Sequence, residues 1–74
     1  MSREHAIQLE GTVVEVLPNT VFRVELANGH RLVAFPGRSA RAWAGSLARG
    51  DRVSVEVSPC DFSAGRIRRK TVVE

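Results

Sequence analysis

Two turn signals in the first half of the chain restrict what it can fold into. The segment Gln8–His30 has the sequence QLEGTVVEVLPNTVFRVELANGH. Leu17–Thr20 (LPNT) is typical of a turn, because proline presets φ at the first central position and asparagine tolerates the second. Asn28–Gly29 predicts a type I′ hairpin turn, which needs positive φ at both central residues. Three antiparallel strands in a meander are therefore predicted for this part of the chain.

Alternation of apolar and polar residues with a period of two predicts where the strands lie. Phe22, Val24 and Leu26 alternate with polar residues, so we expect these three side chains to point into the core. Gly11 and the Val13–Val14 pair predict a bend or bulge in the first strand. The predicted strands are Ile7–Val16, Val21–Leu26, Arg31–Phe35, Arg52–Val57 and a fifth that begins at Arg66.

The segment Ser39–Arg49 is predicted to form one short helix. Its apolar residues, Ala40, Trp43, Ala44, Leu47 and Ala48, recur at helical spacing and form a single stripe. Ser39 suits the N-cap position and Gly50 the position after the last turn. Because Gly45 weakens such a helix, we expect it to depend on burial of Trp43.

Three meandering strands, a helix and two further strands is the element order of the oligonucleotide/oligosaccharide-binding (OB) barrel. We therefore predict an all-β, five-stranded, S1-like OB-fold barrel with one short helix between strands 3 and 4. An SH3-like barrel is the main alternative, but it has no helix at this point. The length permits one domain over residues 1–74, with residues 1–6 and 70–74 as flexible tails.

Composition excludes several classes of protein. A hydrophobic content of 43% argues against a disordered chain. The single cysteine, Cys60, cannot form an internal disulfide, which excludes a disulfide-stapled secreted scaffold and fits a reducing cytosol. The sequence has neither a signal-peptide pattern nor a stretch long enough to span a membrane. We therefore expect a cytoplasmic, monomeric protein without a membrane partner.

The residue types that carry catalysis or bind metals are not arranged for either. The two histidines, His5 and His30, have no spacing to Cys60 or to the aspartates that suits a metal. His30 is better explained as an exposed residue that leaves the second turn. No base lies near Cys60 in sequence to activate its thiol, and no glycine-rich phosphate loop is present. We therefore predict no enzymatic activity, no metal site and no cofactor.

Positive charge is concentrated in the second half of the chain. Residues 31–70 carry eight arginines and Lys70 against three acidic residues. A GC-rich genome would also enrich arginine, and any single arginine is equally well explained as a solvated side chain. As a set, however, the arginines favour a polyanionic partner, nucleic acid before membrane, because their guanidinium forks fit phosphates. Because few aromatic residues are expected at the surface, phosphate and shape contacts with folded RNA are favoured over stacking on single strands.

A series of segments along nearly the whole chain carries a family resemblance. The segments are Gly11–Val13, Leu17–Thr20, Phe22–Leu26, Asn28–His30, Gly50–Asp51, Val53, Pro59, Asp61 and Gly65–Ile67. Together they resemble the bacterial translation initiation factor 1 family, and the run from Leu17 to His30 is the most specific part. Cold-shock domains share the barrel but carry aromatic RNA-binding motifs that are missing here.

The resemblance implies a protein that binds the small ribosomal subunit at its A site. There the family contacts ribosomal RNA and a ribosomal protein and acts alongside initiation factors 2 and 3, without catalysis or a cofactor. It implies contacts for Arg23, Arg41, Arg66 and Lys70, and a one-residue shift of the alignment adds Arg38. The other candidate residues are inferred from their charge and position alone. The candidate rRNA-binding residues are Arg23, His30, Arg31, Arg38, Arg41, Arg66, Arg68, Arg69 and Lys70.

The middle of the chain departs from the family pattern. Ser39 and Ala42 stand where the family has lysines, and Cys60 stands where a tyrosine is usual. Arg68–Arg69 replace apolar residues. These differences favour, as an alternative, a diverged OB-fold protein that binds RNA generally or acts as an RNA chaperone. A protein-binding module that uses a strand edge is a third possibility, supported only by the generic nature of the fold.

Overall fold

Within residues 6–71, which a computed structural model describes, the chain forms five strands and two 3₁₀ turns. The strands are β1 (Ile7–Leu17), β2 (Val21–Leu26), β3 (Arg31–Pro36), β4 (Arg52–Ser58) and β5 (Asp61–Thr71). They close into a barrel in the order β1-β2-β3-β5-β4, and β4 pairs with β1. All neighbours are antiparallel except β3 and β5, which are parallel. This is an OB-fold barrel, so the predicted fold class is confirmed.

β1 serves two sides of the barrel because it bends. Its first half pairs with β4 and its second half with β2, and Gly11 and Thr12 pair with both. One extra residue, Val14, forms a bulge between Val13 and Glu15. Bulges increase local twist and turn a strand, which lets β1 close the barrel. The bend or bulge predicted for this strand is confirmed.

Both hairpin turns lie where they were predicted, but the second has a different conformation. Leu26 N–H donates to the His30 carbonyl (2.8 Å), so three residues form the loop, and Gly29 N–H donates to the Leu26 carbonyl (2.9 Å). Only Gly29 has positive φ, at 89°. This is a type I turn followed by a glycine bulge rather than a type I′ turn, so that prediction was wrong. Asn28 avoids positive φ and instead accepts a hydrogen bond from His30 N–H (3.0 Å) through its side chain.

The helix predicted for Ser39–Arg49 is absent, so this prediction was wrong. Two 3₁₀ turns replace it, at Arg38–Ala40 and Ala44–Ser46, and neither has a side-chain cap. Gly45 lowers helix propensity in the middle of the segment, and Leu47 is already extended (φ −68°, ψ 143°). Short 3₁₀ pieces are the usual result where an α-helix cannot be sustained. No helical element among the described residues has the length and apolar character needed to cross a membrane.

The core fills the interior of the barrel. Phe22, predicted to be core, is only 1% exposed. Trp43, also predicted to be core, is partly buried and packs against the core from outside. The apolar stripe therefore identified buried residues correctly except at Ala48, which is exposed, although their backbone is not an α-helix. The buried side chains are Val13, Phe22, Val24, Leu26, Leu32, Ala34, Ala40, Ala44, Leu47, Val53, Val55, Val57 and Ile67.

β5 is longer than the alternation predicted. It begins at Asp61, five residues before Arg66, and Lys70 pairs with Val53 of β4. A register shift between Ser54 and Val55 breaks the alternation on β5, which explains why its end was taken for a tail. Lys70 therefore lies in a strand. Residues 1–5 and 72–74 of the predicted tails lie outside the described residues, and the single domain over residues 1–74 stays a prediction.

Candidate nucleic-acid interface

Two candidate arginines lie on the outer face of β2 and β3, each beside a carboxylate of the neighbouring strand. Arg23 Nε lies 3.0 Å from Glu15 Oε1, and Arg31 Nη2 lies 3.8 Å from Glu25 Oε1. The residues of each pair face each other in the strand register. Exposed ion pairs of this kind contribute only about 0–1 kcal/mol. A phosphate can therefore compete for either guanidinium.

Gly37 brings three further candidates together. Its N–H donates to the Ile67 carbonyl (2.9 Å), and a Cβ built on it would lie only 2.9 Å from Arg66 Cγ. The stem of Arg66 thus lies across the glycine, directly beside the first 3₁₀ turn, which packs on β5. Arg38 opens that turn and Arg41 closes it, and both are exposed. Arg38, Arg41 and Arg66 form a basic cluster, the name used below.

The consecutive cations at the end of β5 differ in their surroundings. Arg68 Nη1 lies 3.6 Å from Glu56 Oε1, and Lys70 Nζ lies 3.6 Å from Asp51 Oδ2. Arg69 lies between them in sequence, is exposed and has no carboxylate within 4.0 Å among the described residues. The three predicted contacts are therefore neighbours in sequence, but they differ in ion pairing: Arg68 and Lys70 each have a carboxylate partner, and Arg69 has none among the described residues.

Ion pairing divides the cations into two groups. In the part of the chain that the structure describes, five arginines have no carboxylate partner within 4.0 Å. They are Arg38, Arg41, Arg49, Arg66 and Arg69. Four of these were predicted as contacts. Arg49 was missed because it was assigned to the last turn of the predicted helix, although the count of charges in residues 31–70 includes it.

His30 is exposed, as predicted, and is held in place by β5. Its Nε2 lies 2.8 Å from the carbonyl oxygen of Phe62, so Nε2 carries the proton and donates. The two rings meet edge to face, with centroids 6.4 Å apart and an angle of 60°. His30 therefore ties the β2–β3 loop to the start of β5. Its contact with rRNA stays a prediction.

Two of the phenylalanines lie at the surface. Phe35 is 46% exposed and Phe62 is 40% exposed. The expectation of few surface aromatics was therefore wrong. The alternation of β3 could have indicated this exposure. Phe35 points to the same face of the strand as the exposed Arg31 and to the opposite face from the buried Leu32.

The first residues of β5 are organised by Asp61. Its Oδ1 accepts hydrogen bonds from both the backbone N–H (3.0 Å) and the hydroxyl (2.5 Å) of Ser63. These two bonds, the hydroxyl first, lower the pKa of the Asp61 carboxyl below its usual range. The neighbouring Cys60 is an exposed free thiol. The start of β5 is therefore held in place by hydrogen bonds, although it is exposed.

The same barrel is found in solved structures. The solution structure of translation initiation factor 1 from the Wolbachia endosymbiont (strain TRS) of Brugia malayi is 33% identical and matches with a TM-score of 0.72. The match covers 93% of this chain and 82% of that chain. This chain belongs to the translation initiation factor 1 family. No family model matches the sequence.

A second solved structure extends the comparison of folds. The crystal structure of YjeQ from Thermotoga maritima is 24% identical, with a TM-score of 0.69 over 89% of this chain and 23% of that chain. This likeness concerns the fold alone. The family resemblance predicted from the sequence therefore rests on initiation factor 1, and it is confirmed. Of the contacts that this resemblance implied, Arg41 and Arg66 lie in the basic cluster, whereas Arg23 and Lys70 are ion-paired.

Proposed function

We propose that this chain of the initiation factor 1 family is a translation initiation factor that binds the A-site region of the small ribosomal subunit through rRNA phosphates. The observation that carries the proposal is the 33% identity to an initiation factor 1 structure over 93% of the chain. On the subunit it acts beside initiation factors 2 and 3 and a ribosomal protein near the A site. It works in the cytoplasm as a monomer, without catalysis or a cofactor.

The unpaired arginines support phosphate contacts. Because no carboxylate among the described residues holds them, their guanidinium forks are available for charge-assisted bonds to phosphate oxygens. Each phosphate that is neutralised releases counterions, which favours binding and makes the affinity fall as the salt concentration rises. The basic cluster brings three unpaired arginines together where the first 3₁₀ turn packs on β5, so we propose that it provides the main contact.

Sedimentation with purified small subunits tests the proposal. We expect saturable binding near one protein per particle and protection of A-site rRNA nucleotides from chemical probes. Failure to sediment with the subunits at moderate salt, or protection confined to other rRNA regions, would refute it.

Neutralising variants test the assignment of the contacts. Arg41→Gln and Arg66→Gln each remove one unpaired charge, and we expect each to weaken subunit binding about ten- to hundredfold, since a charge-assisted hydrogen bond contributes about 1.5–3 kcal/mol. Arg52→Gln is the matched control, because Arg52 is not a candidate contact and lies 3.5 Å from Glu10 Oε1. Equal losses in all three variants would contradict the assignment.

The altered β3–β4 connection favours a second candidate function, general RNA binding or RNA chaperone activity. Two 3₁₀ turns, the first flanked by the exposed Arg38 and Arg41, stand where the apolar stripe predicted a helix. This function predicts similar affinity for unrelated folded RNAs and for the small subunit. A preference of the protein for the subunit over transfer RNA of at least tenfold would exclude it.

A further inference from the structure

The exposed phenylalanines lie on one face of the barrel. Phe35 belongs to β3 and Phe62 to β5, and these two strands are parallel neighbours. Val33 pairs with Ala64, and side chains two residues apart point to the same face of a strand. Phe62 lies two residues before Ala64, and both it and Phe35 are exposed, so both rings lie on the outer side of the barrel.

The surface between the two rings carries only short side chains. Val33 and Ala64 lie between them and are half-buried small or medium side chains. Four residue steps separate the rings along the strands, or about 13 Å at about 3.3 Å per residue. Each ring therefore stands alone on the face, with space above the residues between them.

Phe62 is fixed by its neighbour across the barrel surface. His30 bonds to its carbonyl (2.8 Å) and meets its ring edge to face. The ring nevertheless stays 40% exposed. Fixing an exposed aromatic ring in this way lowers the entropy cost of stacking another ring on it.

Cations flank both rings. Arg66 pairs in register with Phe35 and belongs to the basic cluster, and Arg31 lies at the other end of the face. The acidic neighbours are already engaged: Asp61 accepts two hydrogen bonds from Ser63, and Glu25 lies 3.8 Å from Arg31. Aromatic rings interleaved with cations suit a chain that carries both flat bases and phosphates.

We propose that the outer face of β3 and β5 is a subsite for unpaired nucleotides of RNA. Phe35 and Phe62 each stack on one base, while Arg66 and Arg31 contact phosphates. The subsite tolerates any sequence, because every base has a π face, but it excludes duplexes, whose base faces are covered. The inference rests on the proposed function only in taking RNA as the partner, and it is testable without ribosomes.

The test is fluorescence anisotropy with a labelled ten-nucleotide single-stranded RNA of mixed sequence. Phe35→Leu and Phe62→Leu keep an apolar side chain but remove the ring, and we expect about tenfold weaker binding for each. The slope of log K against log salt should not change, since no charge is lost. Arg66→Gln should instead make that slope shallower by about 0.7.

Controls separate stacking from loss of structure. Phe35→Tyr keeps a ring and should bind like the parent protein. Val16→Ala changes another exposed apolar residue, 53% exposed on β1, and should also bind like the parent. Thermal unfolding of every variant checks that it folds.

An RNA ligand with abasic residues provides the complementary measurement. Removing the bases while keeping the phosphates should weaken binding to the parent protein and have little effect on Phe35→Leu combined with Phe62→Leu. Parent-like binding by the leucine variants, equal affinity for duplex and single strand, or no measurable binding of the single strand would each overturn the proposal.

Three further outcomes are distinguishable from these. If the parent protein forms a concentration-dependent dimer that the leucine variants lose, the face belongs to a second copy of the chain, and the RNA subsite is refuted. If the protein sediments with small subunits but removing both rings does not change its affinity for free single strands, the subsite fails while the proposed function stands. If the protein binds the single strand through both rings but does not bind the subunit, the subsite stands and the proposed function fails.

Discussion

At the scale of single residues, the barrel depends on a missing side chain at Gly11. A Cβ at this position would lie 2.5 Å from Val24 Cγ1 and 2.9 Å from the Glu25 carbonyl oxygen. The backbone oxygen of a paired strand cannot move away without breaking the sheet. We therefore expect Gly11→Ala to lower the free energy of unfolding by about 2–3 kcal/mol, measured by urea denaturation.

Gly45→Ala is the matched control for that substitution. Apart from the neighbouring residues in sequence, no atom in the described part of the chain lies within 4 Å of a Cβ built at Gly45, and its φ is not positive. Alanine there reduces the freedom of the unfolded chain, so we expect a change between zero and a gain of about 1 kcal/mol. If Gly11→Ala and Gly45→Ala had the same effect, close approach at Gly11 would not be the cause.

Thr20 carries local backbone strain. Its φ is 58°, in the left-handed region that β-branched residues rarely adopt, and the preceding Asn19 has a φ of 65°. Asparagine tolerates this region, so Thr20→Asn should raise the free energy of unfolding by about 1 kcal/mol in urea denaturation. The same substitution at Thr12, inside β1, should be destabilising because asparagine is unfavourable in strands. A loss at both positions would contradict the strain at Thr20.

Asp61 gives the start of β5 a dependence on pH. The two hydrogen bonds from Ser63 lower its pKa in the folded state. Their stabilisation is therefore fully present above the unfolded pKa of about 4 and is lost as pH falls through the lower folded pKa. Thermal unfolding should show Asp61→Ala less stable than the parent at pH 7, with the difference shrinking below about pH 4. A difference that stays constant down to pH 2 would contradict this account.

At the scale of elements, strands and turns could be predicted because their signals are local. Alternation located β2 and β4 to within a residue, and the Val13–Val14 pair indicated the bulge. The helix between β3 and β4 was wrong because a stripe of small apolar residues reports burial, not conformation. Ala40 and Ala44 are fully buried within 3₁₀ turns. Tertiary packing here overrides the helical period.

The β3–β4 connection should open before the barrel does. Its residues 37–51 contain only two single 3₁₀ turns, whereas the barrel amides lie in a closed sheet. We expect amides such as that of Ser46 to exchange with deuterium through local opening, far faster than those of Val24 and Val55. Native-state hydrogen exchange measures this. Equal protection in both regions would show that the connection unfolds only with the whole barrel.

At the scale of the whole molecule, the interface is a product of tertiary structure. The sequence shows where the arginines are, but only the closed barrel shows which of them face carboxylates. Arg68 and Arg69 are adjacent in sequence, yet only Arg68 has an ion-pair partner among the described residues. In the same way, the stem of Arg66 lies against Gly37, which brings Arg66 close to Arg38 although the two arginines are 28 residues apart in the sequence. Candidate residues were therefore predictable as a set, and their division into paired and unpaired groups was not.

That division predicts how binding to the small subunit depends on salt. If all five unpaired arginines meet phosphates, log K should fall against log salt with a slope between about −3.5 and −4.5, at about 0.7–0.9 per phosphate. Arg38→Gln and Arg49→Gln should each make the slope shallower by about that increment. Arg52→Gln should leave it unchanged, because Arg52 is not a candidate contact and lies 3.5 Å from Glu10 Oε1. Sedimentation at several salt concentrations measures the slopes. An equal change in slope for Arg52→Gln would show that binding depends on total charge, because the paired and unpaired arginines would then contribute alike.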